Sequence, residues 1–170
     1  DNINSFQCHT LLRKSLELIA NEKPISISII FQVEPTLLKL WGEAAVYVTL
    51  LNSRNLPSHK KDNKNTELKK LTLYGAGGLI DFNTISATVV GNTLTRELTI
   101  TPPNKLTPSI YRGKIKKLAK QNKWKIQEYS MSKLKQMGAG AFFAVGQGSE
   151  PQDAAIVHLR YEPKGAKQSI

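Results

Sequence analysis

The 170 residues are 40% hydrophobic and carry 24 Lys and Arg against 13 Asp and Glu, a formal net charge of +11. This composition excludes a disordered or fibrous chain and suits one ordinary domain or two small ones with separate cores. No apolar run approaches the roughly 18 to 20 residues that span a bilayer, whereas the positive charge raises nucleic-acid binding as a reading to be tested against its distribution.

The opening "DNINSFQCHT" has no basic segment followed by an apolar one, so no secretory signal is read there. Its lack of Met leads us to expect an upstream segment. Cys8 is the single cysteine, which excludes an intrachain disulfide and fits a reducing compartment such as the cytosol. With His9 beside it no metal site forms, because adjacent side chains diverge, and a free thiol, buried or exposed, is expected. From Thr10 to Ala20 the apolar residues Leu11, Leu12, Leu16 and Ile19 repeat at helical spacing, and Pro24 disfavours helix at Lys23. The alternating, β-branched run "ISISIIFQV" predicts a strand. Pro35 opens a second helix with a wide buried stripe of Leu37, Leu40, Trp41, Ala44, Ala45, Val48 and Leu51.

"NLPSHKKDNKNTELKK" is polar and reads as a mobile loop, followed by a short strand, "LKKLTLYG". The "YGAGG" turn from Tyr74 to Gly78 has the strand–glycine–helix order that can present N–H groups to a phosphate. It is neither G-x-G-x-x-G nor a Walker A sequence, so it reads as a plain turn that uses glycine for positive φ. Phe82 to Ile100 carries a helical stripe of Ile85, Val89, Leu94 and Leu98. Helix, strand, helix, loop, strand is an α/β order, with helices packed on a sheet.

Pro102, Pro103 and Pro108 interrupt the pattern and set the expected domain boundary: an amino-terminal α/β domain over 1–100, a Pro-rich link over 101–108, and a second domain over 109–170. Thr107 is a good N-cap and Pro108 a good first helical residue. The helix they open has Tyr111, Ile115, Leu118 and Ala119 inside and Lys114, Lys116, Lys117 and Lys120 outside. "WKIQEYS" predicts a strand that alternates Trp124, Ile126 and Glu128 against Lys125, Gln127 and Tyr129. "SKLKQMG" predicts a short helix capped by Ser130 or Ser132 and ended by Gly138. "AFFAVGQGS" admits a helical turn or a buried strand, and "DAAIVHLRYEP" predicts a strand.

Little in these residues points to chemistry. Metal-assisted hydrolysis needs several Asp, Glu or His converging on one place, and no H-E-x-x-H, D-x-D or H-x-x-x-H occurs. Glu150 and Asp153 read as a solvated loop charge pair. Ser149 in "GQGSEP" is not a G-x-S-x-G elbow, and His9, His59 and His158 are isolated. The densest lysines, Lys114 to Lys135, spread over a solvated face rather than a groove, and no RRM, KH, zinc-finger or helix-turn-helix signature accompanies them.

Two longer stretches carry a family likeness. "RELTITPPNKLTP" from Arg96 to Pro108, with its Arg, acid and Leu, Pro-rich link, Asn and closing Thr-Pro, resembles the start of the catalytic domain of the cytosol (leucyl) aminopeptidase family. "MGAGAFFAVGQGSEPQDAAIVHLRY" is similar to the Met-Gly, apolar run, Val-Gly-x-Gly-Ser and hydrophobic strand that follow in that family, in the same order. Ile100 stands where the family usually has Asn. The resemblance implies an α/β fold: a small macro-domain-like amino-terminal domain, then the first helices and strands of an aminopeptidase catalytic domain.

It also implies an exopeptidase acting on the amino-terminal residues of peptides, with two divalent metal ions, zinc or manganese, that polarise the scissile carbonyl and activate water. Lysine and arginine residues with a bound bicarbonate assist, and members assemble as cytoplasmic homo-hexamers. The family's metal ligands lie in a Gly-Lys-Gly and Phe-Asp-x-Gly-Gly stretch beyond the strand that ends here near Tyr161, and further on. This sequence reaches "GAKQSI" without them. No catalytic, cofactor-binding or metal residue is therefore assigned to any position, and this segment is expected to bind no metal and to be inactive by itself. The alternative expectation is a basic α/β module that holds nucleic acid or a nucleotide through Lys60, Lys61, Lys64, Lys69 and Lys70 or the "YGAGG" turn; a third is a scaffold for subunit contacts. No membrane partner is expected.

Overall fold

A computed structural model describes residues 3–58, 67–76 and 78–165, which fall into two compact units, Asp1–Ile100 and Thr101–Ile170. The first unit opens with α1, Ser5–Ala20, earlier than the Thr10 start that apolar spacing predicts. Hydrogen bonding sets this start: the Asn4 side chain accepts from Gln7 N–H at 2.9 Å and Gln7 Oε1 accepts from Asn4 N–H at 3.0 Å, a reciprocal cap that periodicity does not report. Cys8 is fully buried in this helix, and burial pushes its thiol pKa up.

Strand β1, Ser26–Ile30, is shorter than the predicted run and pairs in parallel with β2, Lys70–Tyr74, Ser26 facing Lys70 and Ile30 facing Tyr74. A parallel pair needs a crossover, and α2, Pro35–Asn52, lies within it. Ala44, Ala45 and Val48 are buried as the stripe predicts, but so are Gly42, Val46 and Thr49. Leu37 and Leu40 are exposed instead. The reason is that α2 packs on both α1 and α3, so the buried arc is wider than one stripe and lies toward the carboxyl-terminal half of the helix.

Helix α3, Phe82–Ile100, closes the core: Val46, Ala76, Ile80, Ile85 and Val89 form one buried cluster, with Phe31, Leu71 and Leu73 packed against it. Leu94 and Leu98 are only half-buried. Polar ties reinforce the helix pair. Asn92 Nδ2 donates to Tyr47 Oη at 2.8 Å, Arg96 donates to the Leu51 carbonyl at 2.9 Å, and His9 stacks on Tyr47. Asp81 caps α3 by accepting from the Asn83 and Thr84 N–H groups and from the Thr84 hydroxyl.

The "YGAGG" turn is the strand-ending turn the sequence suggests, with Gly77 outside the described residues. Gly75 has φ +81°, and a Cβ there would sit 3.1 Å from the Phe31 carbonyl oxygen.

In the second unit the prolines leave a single 3₁₀ turn at Pro103–Lys105. Helix α4, Pro108–Asn122, follows, with Thr107 as N-cap. Ala119 is buried and Ile115 and Leu118 half-buried, but Tyr111 is exposed and Arg112 turns inward in its place. Strand β3, Lys125–Ser130, pairs antiparallel with β4, Ala155–Arg160, Lys125 facing Arg160 and Ser130 facing Ala155. Between them lie α5, Met131–Gln136, capped by Ser130, and α6, Gly140–Gly146, which resolves "AFFAVG" as helix.

Gly138, at φ +74°, ends α5. Ala139 N–H bonds back to the Leu134 carbonyl and Gly138 N–H to that of Lys135, which satisfies the last carbonyls of the helix. Gly146 lets α6 approach α5, since a Cβ there would meet the Met131 side chain at 2.7 Å.

Two outcomes are expected. Gly75→Ala forces a left-handed conformation on an L side chain and should lower unfolding free energy by about 1–2 kcal/mol in urea titrations. Hydrogen bonds from Thr84, side chain first and then backbone, hold the Asp81 carboxyl below its ordinary range. Its stabilising effect is thus present above that range and lost as pH falls through the lowered folded value. Asp81→Asn keeps a capping oxygen but cannot titrate, so thermal melts between neutral and strongly acid pH should show a shallower acid loss than in the parent chain.

Candidate functional site

The charged groups of the second unit are placed by three structural tasks. Arg112 and Lys116 stand one turn apart on α4 and both reach Glu128 of β3, at 3.1 and 2.9 Å. The Arg112 and Glu128 side chains are only 21% and 22% exposed, so this ion pair ties helix to strand in a partly desolvated place. Its sequence signal is the acid on the inward register of an otherwise apolar strand face, opposite cations at i and i+4 of a helix. At the open face of the hairpin, Lys125 and Gln127 of β3 line a shallow cleft with His158 and Arg160 of β4. Lys125 and Arg160 both pair with Glu162. The hydrogen bond from Lys125 foremost, together with the charge of Arg160, holds the Glu162 carboxyl below its usual range.

The third task corrects an expectation. Asp153 is not one half of a solvated loop pair with Glu150: its carboxylate accepts from Ser109 N–H at 2.8 Å. The loop after α6 folds back onto the amino terminus of α4, where unpaired N–H groups and the helix dipole favour a negative charge. Glu150 is exposed.

Among the described residues no three His, Cys, Asp or Glu side chains come together to hold a metal ion. The acids that are well placed are already committed: Glu128 to two cations, and Asp81 and Asp153 to helix caps. The described residues thus assemble no metal centre, and no catalytic step is assigned to them. Of the lysines considered for phosphate binding, Lys60, Lys61 and Lys64, with His59, lie outside the described residues, and Lys69 and Lys70 are exposed at the start of β2. No helix among the described residues is long and apolar enough to cross a membrane.

One cleft in the first unit, of about 380 Å³, gathers residues that no motif marks: Lys23 after α1, Thr49 and Asn52 of α2, and Arg54 beyond it.

Residues 93–170 match the family model for the catalytic domain of the cytosol aminopeptidase family. By this match the carboxyl-terminal part of the chain is similar to that family. A probable cytosol aminopeptidase of Prochlorococcus marinus is 42% identical over 77 residues, 44% of this chain and 15% of that protein. One of Koribacter versatilis is 35% identical over 117 residues, 65% of this chain and 23% of that protein. The chain thus spans less than a quarter of the length of these curated relatives. Its fold is similar to that of a mutant tomato leucine aminopeptidase, with TM-score 0.81 at 18% identity over 94% of this chain and 34% of that one. It is also similar to the bottromycin maturation enzyme BotP in complex with manganese, with TM-score 0.72 at 17% identity over 96% of this chain and 34% of that one.

Within the second unit the α4–β3 ion pair is the polar element whose loss has the clearest cost. Glu128→Ala leaves Arg112 half-buried without its partner and should destabilise the chain by roughly 1–3 kcal/mol. Glu128→Gln, which keeps a hydrogen-bond acceptor, should cost less when both are compared by chemical denaturation.

Proposed function

We propose that the chain is the amino-terminal domain and leading catalytic-domain segment of a metal-dependent aminopeptidase that removes amino-terminal residues from peptides. The observation that carries this reading is the match of residues 93–170 to the aminopeptidase catalytic domain. The leucyl type is supported by the fold likeness to tomato leucine aminopeptidase. Two divalent ions, zinc or manganese, are the proposed cofactors; metal dependence as such is supported by the manganese complex of the similarly folded BotP. A homo-hexamer in the cytoplasm is the proposed assembly and location.

In this reading the described residues hold and orient the approach to the metal centre. The β3–β4 hairpin, with Glu128 fixed from α4 and Gly146 seating α6 on Met131, gives that approach a defined shape. The metal ligands and the chemistry belong to other residues of the parent polypeptide, and the segment alone is inactive.

The parent polypeptide should hydrolyse L-leucine p-nitroanilide, lose that activity on chelation and regain it with manganese or zinc. The 170-residue chain by itself should stay at background under the same conditions. Hydrolysis indifferent to chelator, or turnover by the segment alone, would overturn the proposal.

A further inference from the structure

The positive charge of the chain is unevenly spread. Residues 101–170 hold 13 of the 24 Lys and Arg but only four of the 13 Asp and Glu, and three of those four acids have partners within the fold. Glu128 is tied to Arg112 and Lys116, Glu162 to Lys125 and Arg160, and Asp153 to the Ser109 N–H group. On α4 only Arg112 and Lys116 reach an acid among the described residues.

The remaining lysines of that helix are ordered. Tyr111, Lys114, Lys117 and Lys120 follow one another at a spacing of three residues, so they stand as neighbours in one exposed row along α4. The fold does not call for this row. Lys120 lies in the last turn, where the negative helix end favours a cation, but Lys114 and Lys117 stand mid-helix, and like charges at such spacing repel. Tyr111, at the head of the row, is 44% exposed although its apolar ring would gain from burial. An aromatic ring next to a file of cations matches a ligand with a flat apolar face and repeated negative charges.

The surroundings narrow the choice. Ile115, Leu118 and Ala119 form the side of α4 that packs toward β3 and β4, so the helix has no apolar face left to enter a lipid surface. The two arginines of the unit are held by Glu128 and Glu162, which leaves lysines as point charges rather than planar forks that read base edges. We infer that the outer row of α4 binds single-stranded nucleic acid without regard to sequence, its phosphates along Lys114, Lys117 and Lys120 and an unpaired base stacked on Tyr111. A duplex offers the phosphates but keeps its bases stacked on one another, so it gains nothing from the ring.

The test follows the anisotropy of a labelled single strand of about 12 nucleotides, within the site sizes of single-strand binders, on titration with the 170-residue chain. Parallel arms use the duplex of the same sequence and vesicles of phosphatidylserine and phosphatidylcholine. Saturable binding below about 100 μM is expected at low salt, with a slope of log affinity on log salt of about −2, from three contacts at about −0.7 each. Lys117→Gln should flatten that slope by about 0.7. Tyr111→Ala should weaken binding about tenfold with the slope unchanged, as loss of one stacked base does, and Tyr111→Phe should restore it. Removing as many charges in the first unit, by Lys60→Gln, Lys61→Gln and Lys64→Gln together, should change neither quantity. Lys117 is exposed, so its variant decides the matter even where Tyr111→Ala does not fold. No binding of the single strand up to about 100 μM, the weak end of non-specific affinity, overturns the inference, whether or not the vesicles are bound. So does duplex binding as tight as that of the single strand, a slope unchanged in Lys117→Gln, or a slope lost in the first-unit variant.

Discussion

A parallel pair of strands cannot be closed by a tight turn, and this constraint organises the first hundred residues. Between Ile30 and Lys70 the chain must leave the sheet, cross it and return in the same direction. The crossover helix α2 therefore has to pack on the ladder as well as on its helical neighbours. Its packing on both α1 and α3 widens its buried face to include Val46 and Thr49 beside the alanines. Small residues make the approach possible: a Cβ at Gly42 would meet Ile80 at 2.7 Å. The core of Val46, Ala76, Ile80, Ile85 and Val89 is then completed by α3. Each of these residues brings its apolar area out of water at roughly 25 cal/mol per Å².

The second unit solves a different problem. Its hairpin is antiparallel yet joined by two short helices rather than a turn, and neither α5 nor α6 is long enough to hold itself together in water. Stops and contacts substitute for length. Ser130 caps the start of α5, Gly138 ends it, and Gly146 allows α6 to close on Met131. The ion pair from Arg112 to Glu128 fastens α4 to β3, and Asp153 returns the β4 lead-in to the start of α4.

These commitments give the acids around a glycine-rich stretch structural tasks. Glu128 faces two cations and Asp153 a helix amino terminus. Gly138 serves a helix end and Gly146 close packing.

Much of the fold was legible because it is written in local physics. Thr107 and Pro108 start α4, Gly138 ends α5, and alternation marks β1 and β4, since caps, φ preferences and side-chain period all act within a few residues. The family likeness was legible for a similar reason, being carried by contiguous stretches such as "RELTITPPNKLTP". Not legible were the early start of α1, set by a polar reciprocal cap, and the burial of Val46 and Thr49 in place of Leu37 and Leu40. Nor were the inward turn of Arg112 toward Glu128 and the task of Asp153 at Ser109 N–H. Sequence alone determined most element types, several helix stops and the family likeness. Tertiary structure decided which face of α2 is core, which acids are occupied and where a cleft gathers Lys23, Thr49 and Arg54, because those outcomes depend on contacts between residues far apart in the chain.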